Sequence, residues 1–283
     1  VKGKTVVITG ATDGIGLEAA IRLAALGARL VLVGRNSVKG AAALARIRKD
    51  IPGAAVEIHY ADLSRHDEIG RLVPTLLQTA PRIDVLLNNA GAFFAQRETT
   101  SDGWERTFAL NHMGYFLMTH YLRERLIASA PSRVVNVASV AHRGATLDLD
   151  DLQMTRSFGG WRAYQRSKLC NILFTRELAR RLEGTGVTAN SLHPGFVATS
   201  FGDNNRGFFK LVLNIGKKLM AISVENGGET PVFLASSPDV EGVTGSYFDK
   251  CRAIAPDKPA QDDQVAMRLW QESLRLAGLP VDA

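Results

Sequence analysis

Thr5-Val-Val-Ile-Thr-Gly-Ala-Thr-Asp-Gly-Ile-Gly16 runs a short apolar stretch straight into three glycines. Thr5 to Thr9 has the length and β-branched character of a buried strand. Residues from Ile15 to Leu26 then carry helical apolar periodicity, and Gly27 ends it. Gly10, Gly14 and Gly16 occupy the turn between the two. Glycine is needed there for two reasons: the chain must turn tightly, and its backbone must approach an anion held at the open N–H groups of the helix start. Strand, glycine turn and helix in that order predict a dinucleotide site, against the plainer reading of a structural turn.

The chain beyond this unit repeats the alternation. Arg29 to Val33 reads as a second strand ending at Gly34-Arg35, where no Asp or Glu stands to hold a ribose 2′-hydroxyl. Arg35 could face a 2′-phosphate instead, which favours NADP(H) over NAD(H) without excluding the latter; the bland alternative is a surface arginine. A helix over residues 38–49 and a strand over 55–60 lead to Asp62, placed to meet an adenine amino group or to cap a helix, a role Ser64 could also fill. A helix over 68–77 and a strand over 83–87 lead to Asn88-Asn-Ala-Gly91. This alternation predicts an α/β fold: a Rossmann-like, doubly wound parallel sheet in three layers with about seven strands. No internal repeat or linker divides the chain. Residues 1–283 read as one domain, with 1–100 mainly nucleotide-binding and 101–283 catalytic and substrate-binding.

Chemistry enters in the second half. A long helix is predicted over residues 104–127, its apolar face interrupted by Asn111, which reads either as a buried structural amide or as a group orienting water and backbone. A strand over 133–138 ends at Ser139. A helix from about 161 to 182 carries Tyr164 and Lys168, four apart and therefore on one helix face. A tyrosine hydroxyl can move a proton to or from a substrate oxygen, and a nearby ammonium favours its phenolate. The strand over 187–193 ends in Pro194-Gly195, followed by Thr199. Residues 201–222, with Phe208, Phe209, Leu211 and Leu219, suit a lid over an apolar substrate. Lys217-Lys218 in that stretch also permits weak peripheral contact with a membrane surface. A helix over 225–235, a final strand over 242–248 and a helix over 262–276 close the chain.

Composition removes several classes. The formal charge of +6 suits an anionic ligand, yet no run of Lys and Arg forms a nucleic-acid arm, so no nucleic-acid partner is expected. Cys170 and Cys251 are too few for a disulfide framework and point to reduced thiols in a cytoplasmic protein. The histidines show no metal-ligand spacing, and no serine-centred nucleophile elbow appears. No apolar run is long enough to span a membrane, and the start has no signal-peptide character; Val1 in place of Met reads as a trimmed start.

Thr9-Gly10-x-x-x-Gly14-Ile-Gly16, Asn88-Asn-Ala-Gly91, Asn111, Ser139, Tyr164-x-x-x-Lys168 and Pro194-Gly195 together resemble the ordered motifs of the short-chain dehydrogenase/reductase family across nearly the whole chain. The long Ser139-to-Tyr164 spacing, the run from Leu169 to Leu182 and Asn190-Ser-Leu-His-Pro-Gly195 look most like the retinol dehydrogenase and WW-domain oxidoreductase branch. That resemblance implies hydride exchange between NADP(H) and a small lipophilic alcohol or its ketone or aldehyde. It implies Tyr164 as general acid/base, Lys168 as the group that holds the ribose and lowers the tyrosine pKa, Ser139 as anchor of the substrate oxygen, and Asn111 as support for a relay water. Cofactor contacts would fall on Gly10, Thr12, Asp13, Gly14, Ile15, Gly16 and Arg35, and on Asp62, Leu63, Asn89, Ala90 and Gly91. Tyr164, Lys168, Pro194, Gly195, Val197 and Thr199 would complete them. Relatives of this kind are commonly homo-oligomers.

Asp13 departs from the pattern. Many NADP-preferring relatives carry a basic residue just before the second motif glycine, and a carboxylate there would repel a 2′-phosphate unless it points away or caps the helix. Ala138 replaces the serine that often precedes the catalytic one, which leaves Ser139 itself in place. The alternative to an enzyme is a non-catalytic NADP(H)-binding regulatory or scaffold protein.

Overall fold

The computed structural model describes residues 1–194 and 227–281. Seven strands run parallel: β1 (Thr5–Thr9), β2 (Arg29–Gly34), β3 (Val56–Tyr60), β4 (Val85–Asn88), β5 (Ser132–Val137), β6 (Val187–His193) and β7 (Tyr247–Asp249). An eighth, β8 (Arg252–Ile254), pairs antiparallel with β7, and the sheet order is β3-β2-β1-β4-β5-β6-β7-β8. The order reverses between β1 and β4, where the chain leaves the sheet in opposite directions and opens a crevice at the strand C-termini.

Strand side chains alternate between two cores, as the two-residue period requires. Val7, Val31, Leu86 and Val134 point to one face. That face is covered by α3 (His66–Thr79), α5 (Gly114–Ala128), α6 (Gly160–Arg181) and the C-terminal α8 (Asp263–Leu276). Val6, Ile8, Leu32, Val85 and Val135 point to the other, under α1 (Gly14–Ala25), α2 (Ser37–Asp50) and α7 (Glu229–Ser236). The three layers expected from the alternation are present.

The long helix expected over 104–127 is broken at its start. A short turn of helix, α4 (Arg106–Phe108), is capped by the Glu105 carboxylate, which accepts the N–H groups of Thr107 and Phe108 at 2.8 Å each. Residues Ala109–Met113 then form a π-helical turn before α5 begins. Such a turn accommodates one residue more than an α-helix does, and it commonly marks a functional position; here it contains Asn111.

The sheet also has one strand more than expected. Lys250 and Cys251 both take left-handed conformations, with φ of 47° and 61°, and form a two-residue turn that folds β8 back on β7. Lys-Cys lacks the Asn-Gly signature of such turns, so the hairpin left no mark in the sequence. The expected strand over 242–248 starts only at Tyr247, because Gly242 and Gly245 stand at φ of 72° and cannot continue a ladder. Ser64 does not cap α3; Arg65 occupies the cap position, and the Ser64 hydroxyl turns back to Asp62. Among the described residues no helix is long and apolar enough to cross a membrane.

Candidate active site

The glycine turn is stitched to the end of β4. The Asn89 side-chain amide donates to the carbonyls of Thr9 and Gly10 at 3.0 Å each, and the N–H groups of Asn89 and Ala90 donate to the Thr9 hydroxyl at 2.9 and 3.1 Å. Two of the glycines have no room for a side chain. A Cβ on Gly10, at φ +65°, would lie 2.7 Å from the Ala90 Cα; one on Gly16 would lie 2.4 Å from both the Asn89 amide and the Gly10 carbonyl oxygen. The turn, the β4 end and the start of α1 therefore pack backbone to backbone.

Asp13 caps α1 by accepting the Gly14 N–H at 2.8 Å, and its other oxygen takes the Lys39 ammonium at 2.8 Å. The carboxylate that seemed hostile to a phosphate is thus turned onto the helix and neutralised. Lys39, on the first turn of α2, was not singled out from the sequence, because nothing local links it to position 13. Arg35 lies 3.5 Å from the second Asp62 oxygen and stays mostly exposed. Burial raises the Asp62 pKa, but hydrogen bonds from Ser64 and the charge of Arg35 outweigh it and hold the carboxyl below its usual range. Asp62 thereby closes its own turn, with Ser64 N–H and hydroxyl at 3.0 and 2.7 Å on one oxygen. Two cations that can be drawn from their carboxylates, beside the N-terminus of α1, suit the phosphates of a dinucleotide. Leu63 is buried behind this turn, and Thr12 packs against Gly34, where a Cβ would meet its methyl at 2.4 Å. Ile15 lies in the first turn of α1.

The catalytic candidates converge at the C-terminal ends of β4, β5 and β6. Tyr164 is nearly buried on the first turns of α6, with the Ser139 hydroxyl near enough to bond its phenol. Burial pushes its phenol up to about 12, and the Ser139 bond acts against that rise. Ser139 caps the short 3₁₀ turn Val140–His142, its hydroxyl oxygen accepting the Ala141 N–H at 3.1 Å. Lys168 is 4% exposed and its ammonium donates to the Val137 carbonyl at 3.0 Å, 5.7 Å from the ring centres of both Tyr164 and Tyr115. Burial brings the Lys168 pKa down to about 7. The expected lowering of the tyrosine pKa by Lys168 is not what this arrangement displays: burial dominates both groups and favours both neutral forms.

Asn111 is fully buried and holds backbone next to Lys168. Its side-chain amide donates to the Ala92 carbonyl and the Ser167 hydroxyl at 3.0 Å each, and its oxygen accepts the Ala92 N–H at 2.9 Å. It clamps the segment after Gly91, and a Cβ on Gly91 would sit 3.3 Å from the Asn111 oxygen and 3.5 Å from the Lys168 nitrogen. Two supporting residues escaped the sequence reading. The Tyr115 hydroxyl and the Asn171 amide both donate to the Val137 carbonyl at 3.3 Å, so that oxygen keeps partners if Lys168 leaves it. Phe93 meets Tyr164 edge-on and Trp161 lies tilted over it, with ring centres 6.3 and 5.8 Å away. Pro194 directly follows β6. Gly195, Val197, Thr199 and the expected lid at 201–222 lie outside the described residues.

Comparison with known proteins agrees with this geometry. Residues 4–207 match the family model described as short chain dehydrogenase. Retinol dehydrogenase 13 of Homo sapiens is 40% identical over 284 residues, 99% of this chain and 86% of that protein. A crystal structure of an uncharacterized protein from Mycobacterium Paratuberculosis is 30% identical with a TM-score of 0.79, covering 99% of this chain and 95% of that one. A structure titled as the Pseudomonas aeruginosa RhlG/NADP active-site complex is 25% identical with a TM-score of 0.70, covering 87% of this chain and 94% of that one. With a glycine turn locked to β4, and a serine beside a buried tyrosine and lysine at the same sheet edge, the chain belongs to the oxidoreductases of the short-chain dehydrogenase/reductase family, in its retinol dehydrogenase branch.

Proposed function

We propose that the protein interconverts a lipophilic alcohol and its ketone or aldehyde, using NADP(H), with Tyr164 as general acid/base. The observation that carries this is the buried Lys168 ammonium on the Val137 carbonyl, 5.7 Å from the ring centre of the buried Tyr164, at the end of the strand that leads into Ser139. The names of relatives such as retinol dehydrogenase 13 support an apolar substrate. So do the rings of Phe93 and Trp161 around Tyr164.

The nicotinamide supplies or accepts the hydride. The remaining steps belong to the chain. With its pKa near 12, Tyr164 is protonated at neutral pH and can give its proton to the alkoxide that develops as a carbonyl is reduced. The Ala141 N–H lies on the oxygen of Ser139, leaving the hydroxyl proton to be donated to Tyr164 or to that alkoxide. Lys168 can move from the Val137 carbonyl to a ribose hydroxyl, because Tyr115 and Asn171 continue to satisfy that carbonyl. Its charge, brought closer to the phenol by that move, would then favour phenolate and ease the oxidation direction.

The NADP(H) preference rests on Arg35 and Lys39. Each is held by a carboxylate, Asp62 and Asp13, and a 2′-phosphate offers both a stronger bidentate acceptor. The neighbour whose title names NADP supports the same reading. The test is a screen of ketones, aldehydes and quinones for NADPH consumption, with NADH in parallel. Carbonyl-dependent consumption that favours NADPH is expected; tight NADPH binding with no turnover across the panel would refute the catalytic reading.

A further inference from the structure

His142 lies on the 3₁₀ turn that starts at Ser139 and is 1% exposed. Its Nδ1 is 2.7 Å from the Ser139 carbonyl oxygen, which can only accept, so Nδ1 carries the proton. Its Nε2 accepts the backbone N–H of Asp257 at 3.3 Å and is therefore unprotonated. The two partners fix one tautomer, a neutral ring that bridges the serine turn and a segment far along the chain. Asp257 sits between β8 and the C-terminal helix, and it grips the same turn a second time. One of its carboxylate oxygens accepts the Gly144 N–H at 3.0 Å, and the other faces Arg143 at 4.0 Å. The ring of Tyr247, on β7, packs edge-on against His142 at 5.1 Å between centres.

This geometry holds the backbone of Ser139 rather than its hydroxyl. The Ser139 carbonyl takes both the imidazole and the His142 N–H, the latter at 3.2 Å. The peptide that carries the serine side chain is thus anchored from outside its own strand. An error of about 1 Å in the aim of a reacting group can cost on the order of 100-fold in rate. We propose that His142 is a positioning residue for Ser139, transmitting the placement of the Asp257 segment to the aim of the serine hydroxyl. The inference rests on the reading of Ser139 given above and adds a residue to it that touches neither substrate nor cofactor.

The two arms of the imidazole can be tested separately. An asparagine amide nitrogen can take the place of Nδ1, and a glutamine amide that of Nε2. We expect His142→Ala to lower kcat by roughly 10- to 100-fold, with the NADPH dissociation constant, read by fluorescence quenching, changed by less than about 2-fold. His142→Asn should recover most of kcat. His142→Gln should recover Tm but not kcat. In a Ser139→Ala background, His142→Ala should leave the residual turnover where it was, because both changes remove one function. Equal kcat in the Asn and Gln variants, or a drop in the double variant that multiplies the two single drops, overturns the proposal. Full turnover in Ser139→Ala alone overturns the reading of the site itself, and this inference with it. If the Ala variant does not fold, the Asn against Gln comparison decides the matter unaided.

Discussion

The turn after β1 and the turn after β5 stand at the same edge of one sheet, yet they are built in opposite ways. The first is made of backbone: glycines that tolerate no Cβ, a capped helix start and surface ion pairs at Asp13 and Arg35. The second is made of side chains, with Tyr164 and Lys168 buried and Ser139 half-buried beside them. A phosphate needs many fixed N–H donors and tolerates water. Proton transfer needs few groups, each placed accurately and removed from water, where electrostatic effects are stronger. One turn therefore depends on shape and the other on chemistry.

That contrast predicts different kinds of failure. The largest effect should come from Tyr164→Phe, which removes one oxygen from the catalytic turn: turnover should fall by about 1,000-fold while NADPH still quenches protein fluorescence. Retained turnover would remove the general acid/base role. Gly16→Ala should fail the other way. Its Cβ meets a backbone carbonyl at 2.4 Å, so Tm and NADPH affinity should both fall, with a cost of about 1–3 kcal/mol from overpacking. An unchanged Tm would contradict the close packing at this turn. Arg35→Ala and Lys39→Ala should each weaken NADPH by roughly 10-fold, as loss of a charge-assisted bond predicts, with NADH nearly unaffected. Equal losses for both cofactors would sink the 2′-phosphate assignment.

The smallest effect concerns stability, and it belongs to the buried catalytic end. Lys168 has a folded pKa of about 7, below its ordinary value of 10.5. The unfolded chain thus binds more protons through that interval, so this group's destabilising contribution is full below about pH 7 and fades as pH rises toward its ordinary value. Lys168→Met should raise Tm most near about pH 6.5, and the gain should shrink by about pH 9.5. A gain independent of pH would mean that packing, not buried charge, sets it.

The same division explains what could be read before the fold was seen. The backbone-built turn was legible because its requirements are local: an apolar strand, glycines at fixed offsets and a periodic helix lie within one short stretch. Tyr164 and Lys168 were legible for the same reason, as neighbours on one helix. What supports them was not. Lys39 reaches Asp13, Asn171 and Tyr115 reach Val137, and Asp257 reaches His142, all through tertiary placement that no spacing encodes. The β7–β8 hairpin was missed because Lys250 and Cys251 adopt a turn usually assigned to other residue types. The role foreseen for Lys168 on the tyrosine pKa depended on its position without weighing burial, which governs both groups here.

The π-helical turn at Ala109–Met113 gives the helix around Asn111 a counting rule. Each residue of an α-helix advances its side chains by about 100°, and the π turn absorbs one extra residue, so deleting one residue between Ala109 and Met113 would restore regular winding and leave α4 and α5 in their present phase. The face of α5 that buries Phe116 and Leu122 would stay on the core, and the loss would fall on the bulged segment that aims Asn111 at Ala92 and Ser167. Loss of a single codon in this stretch should therefore strike the Asn111 clamp and spare the packing of α5, whereas the same loss inside α5 would rotate one flank against the other by about 100°.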